Sequence, residues 1–413
     1  MIEEICQRAK MASVQMAKLS ADQKNAALYQ MADALESNVE KILAANKLDV
    51  EAAETKNLKA SLLDRLALNQ KKIQNMAKEL REVSALTDPI GTILSSWTRP
   101  NGLIISQIRV PIGVVGVIYE SRPNVTSDAA GICIKAGNSA ILRGGSDALQ
   151  SNLAIGTVLR EALLNTNVPT DAIQVINSPE HKVAEELMSM RQYIDVLVPR
   201  GGADLIRTVI EKAKIPVMET GTGNCHIYIE EDADIEKTTP IIINAKVQRP
   251  GVCNAVEKLL IHNKIAKTYI PKIVTKLREN GVEVRGDQKT CQIMPEVKAA
   301  TEQDWYTEYL DLIIGIKVVE DITEAIAHIN KYGTKHSEAI ITNDFTKATR
   351  FLQEIDSAAV YWNASTRFTD GNQFGLGSEI GISTQKLHAR GPMSIQNLTT
   401  TKYIILGNGQ ICK

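Results

Sequence analysis

Apolar positions in the first ninety residues recur at helical spacing. Leu28, Met31 and Leu35 follow Ser20 and Gln23 at that interval, and the Ser-x-x-Gln pair fits a capping box. Leu62, Leu63, Leu66 and Ile73 mark a second helical run. The texture changes at Pro100-Asn101-Gly102, after which LIISQIRV and GVVGVIYE read as two strands separated by Pro111-Ile112. Short apolar runs (GVVGVIYE, NSAILR, AIQVIN, IDVLVPR, PVMET, CHIYIE) then alternate with helical stretches such as SDALQSNLAIGTVLREALL and GADLIRTVIEKAK. Strands alternating with helices imply βαβ units and a parallel sheet covered on both faces.

A helix over 232–248 follows, and Arg249-Pro250-Gly251 breaks it. From about residue 253 a second α/β series begins, so the domain boundary is expected near 231–250. The closing stretch LTTTKYIILGNG reads as a lone strand. It needs an edge to pair with, either the 100–112 strands or another subunit.

At 413 residues the chain is too long for one compact core, so two or three domains are expected. Net charge is −1 with signs interspersed, which removes the electrostatic footprint of a nucleic-acid binder. No run approaches the apolar length of a membrane span, and MIEEICQRAK is not a secretory signal. The six cysteines are scattered without a CxxC pair, which argues against a disulfide framework or structural zinc and points to the cytoplasm.

Cys253, in QRPGVCNAVE, falls in an irregular loop between a helix end and an apolar strand. Two readings stay open there: a reactive nucleophile, or a small buried hydrophobe. Asn124, at a strand-to-helix junction with Thr126 or Ser127 as caps, either donates to an oxyanion or satisfies its own turn. Glu219 ends the PVMET strand, where α/β sheets bind ligands, or is a solvated loop acid. Arg143-Gly144-Gly145 and Arg200-Gly201-Gly202 each end a strand and open a helix, the arrangement that cradles phosphate, or else are two tight turns. No G-x-G-x-x-G follows the first strand. His328 reads as structural, His336 as polar and exposed, and no metal site is expected. The Gly-rich segment 371–392, with Glu379, Lys386, His388 and Arg390, reads as an ordered ligand loop.

Together VGVIYESRPNVT, ILRGGSDA, VLVPRGGADLI, VMETGTGNCHIYIE, QRPGVCNA, VEDITEAIAHINKYGTKHSEAIIT and FGLGSEIGISTQKLHARGPM resemble the γ-glutamyl phosphate reductases of proline biosynthesis, within the aldehyde dehydrogenase superfamily. The resemblance spans nearly the whole chain. It implies an α/β, aldehyde dehydrogenase-like fold: two Rossmann-like domains plus a β-arm for oligomerisation. Residues 1–230 would bind NADP, with strands at 96–112 lending to the arm. Residues 231–370 would carry the nucleophile, and 371–413 a ligand loop and the arm's last strand.

The resemblance also implies an oxidoreductase that uses NADPH to reduce L-glutamate 5-phosphate to the semialdehyde with release of phosphate. Cys253 takes the nucleophile position and Asn124 the oxyanion-donor position. Arg143, Gly144, Gly201, Glu219 and Glu308 fall on the cofactor side, with Glu308 near the nicotinamide ribose. A permanent guanidinium at Arg143 suits the extra phosphate of NADPH. Glu219 matches the water-activating base of hydrolytic relatives, although activated water would destroy an acyl-enzyme before reduction. Ser378, Lys386 and Arg390 are candidates for the substrate's amino and carboxylate groups. A homo-oligomer is implied, and a glutamate 5-kinase partner stays open. The competing functions are a hydrolytic aldehyde dehydrogenase, a cysteine acyl hydrolase using one of the histidines, and a non-catalytic relative.

Overall fold

The structure is a computed structural model and describes residues 2–56 and 60–412. The chain forms two compact units: Met1–Thr220 with Gly375–Gly381 and Met393–Lys413, and Gly221–Phe374 with Ile382–Pro392.

The first unit opens with helices α1 (Ile2–Met16), α2 (Ala21–Ser37), α3 (Val39–Thr55), α4 (Ala60–Leu66) and α5 (Gln70–Ala85). The Ser20–Gln23 capping box forms in both directions, and Leu28, Met31 and Leu35 are fully buried. The second helical run is two helices, because Asn69 accepts the Lys72 N–H and starts α5 afresh. Strands β1 (Ile93–Thr98) and β2 (Ile104–Pro111) pair antiparallel.

There follow β3 (Val114–Tyr119), α6 (Asn124–Lys135), β4 (Ser139–Gly144), α7 (Leu149–Leu163), β5 (Ile173–Val175), α8 (His181–Ser189), β6 (Val196–Arg200) and α9 (Ala203–Lys212). The four strands form a parallel sheet in the order β5-β4-β3-β6. Every residue of β3 and β4 is buried, as the apolar run of β3 requires, and in β4 this burial takes in Ser139 and Arg143. PVMET is not a strand: Val217 makes one isolated bridge to Leu197. Pro216 has no N–H to give a ladder.

The second unit alternates β7 (Cys225–Ile229), α10 (Ile235–Val247), β8 (Val256–His262), α11 (Asn263–Glu279), β9 (Glu283–Gly286), α12 (Gln288–Ile293), β10 (Lys298–Ala299), α13 (Glu302–Tyr306), β11 (Ile313–Val319), α14 (Ile322–Tyr332), β12 (Ser337–Ile341), α15 (Phe345–Glu354) and β13 (Ala359–Trp362). Its seven parallel strands run β10-β9-β11-β8-β7-β12-β13. The boundary expected near 231–250 therefore moves to 220/221, because β7 pairs with β8 and β12 and so opens the second series. Segment 371–413 is shared out. Its central piece carries the short pair β14 (Ile382–Ser383) and β15 (Gly391–Pro392), and the tail β16 (Thr399–Leu406) pairs along its whole length with β2. The lone terminal strand thus finds its edge within its own unit. Among the described residues no helix is long and apolar enough to cross a membrane.

Candidate active site

In the second unit, Cys253 sits in a turn closed by the Ala255 N–H on the Val252 carbonyl at 3.1 Å. Its neighbours hold that turn from several sides. Thr366 Oγ1 donates to the Asn254 carbonyl at 2.7 Å, and Asn254 Nδ2 donates to the Thr369 carbonyl at 2.9 Å. The Cys253 carbonyl accepts from Cys225 Sγ at 3.2 Å. A Cβ on Gly223 would overlap that same carbonyl, so only glycine permits the approach. Cys225 is fully buried, and burial, then the charge of Glu338, push its thiol well up, so it stays an S–H donor. Cys253 itself is half-buried.

Glu308 Oε1 accepts the Gly223 N–H at 2.6 Å, which joins this acid to the same glycine. Its segment rests on buried charge. Lys258 Nζ donates to the Thr307 carbonyl at 2.8 Å and lies 4.3 Å from the Tyr309 ring centroid. Glu257, paired with Lys246 at 2.9 Å, accepts the Leu310 N–H at 3.3 Å. Burial moves Lys258 down to about 7 against the opposing pull of Glu257, and moves Glu257 up to about 7.

In the first unit, the carboxyl ends of β3, β4 and β6 lie in register, with Tyr119 opposite both Gly144 and Arg200. Asn124 opens α6 directly after β3, at that edge. Neither Thr126 nor Ser127 caps the helix. Ser127 Oγ donates back to the Asn124 carbonyl at 2.8 Å, and Thr126 bonds the Tyr119 hydroxyl at 2.7 Å. Asn124 Nδ2 instead donates to Asp128 Oδ2 at 2.8 Å. Burial, then the nearby Glu79, raise the Asp128 carboxyl well above its ordinary range.

The two Arg-Gly-Gly turns differ. Arg143 is buried, its Nη2 donates to the Pro179 carbonyl at 3.1 Å, and its Nε has no partner. At the other turn the helix start is already occupied: Glu120 Oε2 accepts the Gly202 N–H at 2.8 Å, and a Cβ on Gly201 would run into that carboxylate. Glu219 follows the Val217 bridge beside β6.

Of the proposed substrate contacts, Lys386 Nζ and Arg390 Nη2 each lie 2.9 Å from Asp356, with Lys335 at 3.3 Å. Ser378 Oγ is buried without a partner. His336 is fully buried rather than exposed: it directly precedes β12 and donates to or accepts from Ser337 Oγ at 2.8 Å. His328 is buried between Trp305 and Tyr332, and burial, then Lys317, push it down to about 3. Glu230, Glu231 and His262 bring potential ligand atoms within 4.8 Å of one another. Lys347 lies 3.2 Å from Glu230 and Lys264 2.6 Å from Glu231, so that acidic group already has its countercharge.

Residues 1–311 match the aldehyde dehydrogenase family. The γ-glutamyl phosphate reductase of Caldanaerobacter subterraneus subsp. tengcongensis is 57% identical over 412 residues, covering 100% of both chains. The chain belongs to the aldehyde dehydrogenase family, among its γ-glutamyl phosphate reductases.

The crystal structure of γ-glutamyl phosphate reductase from Thermotoga maritima agrees with a TM-score of 0.97 at 51% identity over 100% of each chain. An engineered glycolyl-CoA reductase with bound NADP⁺ shares the aldehyde dehydrogenase fold at a TM-score of 0.72 and 17% identity, over 98% of this chain and 96% of that one. Within this aldehyde dehydrogenase fold several site residues carried no signal in the sequence. Asp128 could have been found, since it lies one helical turn from Asn124. Glu120, Cys225 and Lys258 meet their partners only through tertiary contacts.

Proposed function

We propose that the chain reduces L-glutamate 5-phosphate to L-glutamate 5-semialdehyde, releasing phosphate, with Cys253 as nucleophile and NADPH as reductant. The names of the relatives supply the substrate. The observation that carries the chemistry is the half-buried Cys253, its carbonyl held by Cys225 and pressed against Gly223.

The Cys253 thiolate attacks the γ-carbonyl carbon, and the bond to the phosphate oxygen breaks. Phosphate leaves as a stable anion, so no strong general acid is required. The Asn124 amide and the Cys253 N–H donate to the developing oxyanion. Asp128 accepts one Asn124 N–H and so fixes which end of the amide is the donor. NADPH, when bound, supplies the hydride that brings the Cys253 thioester to the aldehyde level. Collapse of the resulting thiohemiacetal anion frees the aldehyde and restores the thiolate. Exclusion of water decides whether aldehyde or acid emerges.

The chain's residues fit the cofactor. The unpartnered Arg143 Nε at the carboxyl edge of a parallel sheet is a buried donor awaiting an anion. Arg143 and Gly144 hold the adenosine side and Glu308 and Glu219 the nicotinamide side, whereas the Gly201 turn, where Glu120 already takes the Gly202 N–H, is given no phosphate to hold. The exposed apolar residues of β1, β2 and β16, among them Trp97, Ile405 and Leu406, support an arm that builds a homo-oligomer. We place the enzyme in the cytoplasm, where a kinase could supply its labile substrate.

The reaction run backwards tests this reading. Purified protein with NADP⁺ and glutamate semialdehyde is expected to form NADPH only when inorganic phosphate is present. Equal NADPH formation without phosphate would instead identify a hydrolytic enzyme with Glu219 as its base.

A further inference from the structure

We infer that Arg249 and Arg367 together bind the phosphate group of the acyl phosphate beside Cys253; the inference rests on the acyl-phosphate reading above. Arg367 lies on a short 3-10 turn, Thr366–Phe368, over a hundred residues from the nucleophile. Its Nε donates to Gln248 Oε1 at 3.1 Å, and its Nη1 contacts Asn254 Oδ1. One guanidinium thus bridges both ends of the 248–254 loop that carries Cys253. Arg249 extends from that loop, exposed, just past the end of α10.

The electrostatics of this arrangement are incomplete. Arg367 is half-buried, and after burial the like charge of Arg249 is what most disfavours its charged form. Asp370 and Cys253 oppose that effect, so both are near enough to act on the guanidinium. Asp370 Oδ1 is engaged by the Asn372 and Gln373 N–H groups at 3.0 and 3.2 Å. Among the described residues neither arginine has a carboxylate within ion-pair distance. A half-buried guanidinium bonded only to neutral amides, with a like charge on the adjoining loop, is favoured by a bound anion. The planar forks of the two arginines match phosphate oxygens.

The position gives the pair a role in the reaction. As thiolate sulfur bonds to the acyl carbon, the carbon–oxygen bond breaks and its electron pair passes to phosphate. Guanidiniums at that phosphate stabilise the charge as it grows. In reverse they hold inorganic phosphate while its oxygen attacks the Cys253 thioester and the thiolate departs.

Arg367 also braces the loop, so its replacement alone would confuse binding with folding. The reverse reaction is therefore run over a range of phosphate concentrations with the full-length wild type, Arg249→Met and Arg367→Lys. Both variants are expected to raise the KM for phosphate about tenfold or more, with the KM for NADP⁺ within about twofold of wild type. Arg249 makes no hydrogen bond within the loop, so Arg249→Met decides the matter if Arg367→Lys does not fold. A phosphate KM unchanged in Arg249→Met overturns the inference while leaving the acyl-phosphate reading intact. A wild type indifferent to phosphate overturns both.

Discussion

At the scale of single residues the proposed nucleophile, Cys253, is positioned less by its own side chain than by what grips its backbone. The Cys253 carbonyl lies where a Cβ of residue 223 would be, so Gly223→Ala must displace the loop. That variant is expected to lower kcat by about 100-fold, since misplacing a reacting group by about 1 Å has that effect. Turnover and iodoacetamide labelling of Cys253 check it, and a wild-type rate would contradict the account. Asp128 makes a subtler case. Asparagine there can donate where the carboxyl accepts, which frees the Asn124 amide to turn over. Asp128→Asn should lower kcat about tenfold and leave both KM values near wild type, and it should add little to an Asn124→Ala variant. Cys253, Asn124 and Arg143 could be nominated from local sequence because each lies at a junction between elements, Cys253 after Pro250-Gly251, Asn124 where α6 opens and Arg143 in an Arg-Gly-Gly turn, while their proposed roles came from the family resemblance. Arg367 and Cys225 could not, because the residues they bond lie 113 and 28 positions away, and local pattern carries no trace of such contacts.

At the scale of elements, apolar runs revealed the longer strands of both parallel sheets, but they missed β1, β9, β10, β14 and β15 and did not show which sheet each strand joins. CHIYIE looks like the end of one series because it follows five similar runs; its hydrogen bonds to β8 and β12 put it in the other. PVMET failed for a local reason, the missing N–H of Pro216. His226 on β7 and His328 on α14 show a consequence of burial that spacing cannot disclose. Their rings lie 5.6 Å apart, and burial first, then neighbouring positive groups, holds both pKa values far below the ordinary histidine range. Between about pH 6.5 and 3 the unfolded chain therefore binds protons that the folded chain does not, so stability falls as pH falls through that window. His328 alone contributes a slope of at most about 1.4 kcal/mol per pH unit. His328→Gln should flatten the fall, as read by denaturant unfolding at pH 7, 5.5 and 4.5. An unchanged slope would show that His328 is not held neutral.

At the scale of the whole molecule, the terminal strand is the informative feature. The sequence allowed β16 an edge in its own chain or in another subunit, and it takes the former with eight paired positions. Pairing does not cover it: Tyr403, Ile405 and Leu406 remain more than half exposed, beside Trp97 on β1. In the homo-oligomer proposed above, this three-stranded sheet with apolar residues open to water is the surface that association would cover. Ile405→Asp is expected to reduce the mass measured by light scattering to that of a smaller species. A wild type that is already monomeric would contradict the assignment.

The central claim, an acyl group carried on Cys253 and released to phosphate, is most directly tested by trapping it. Enzyme mixed with NADP⁺ and glutamate semialdehyde in phosphate-free buffer should show, by intact mass and peptide mapping, a γ-glutamyl adduct on Cys253. Added phosphate should remove the adduct. An adduct on another residue, or one that forms on Cys253 but is insensitive to phosphate, would contradict the account.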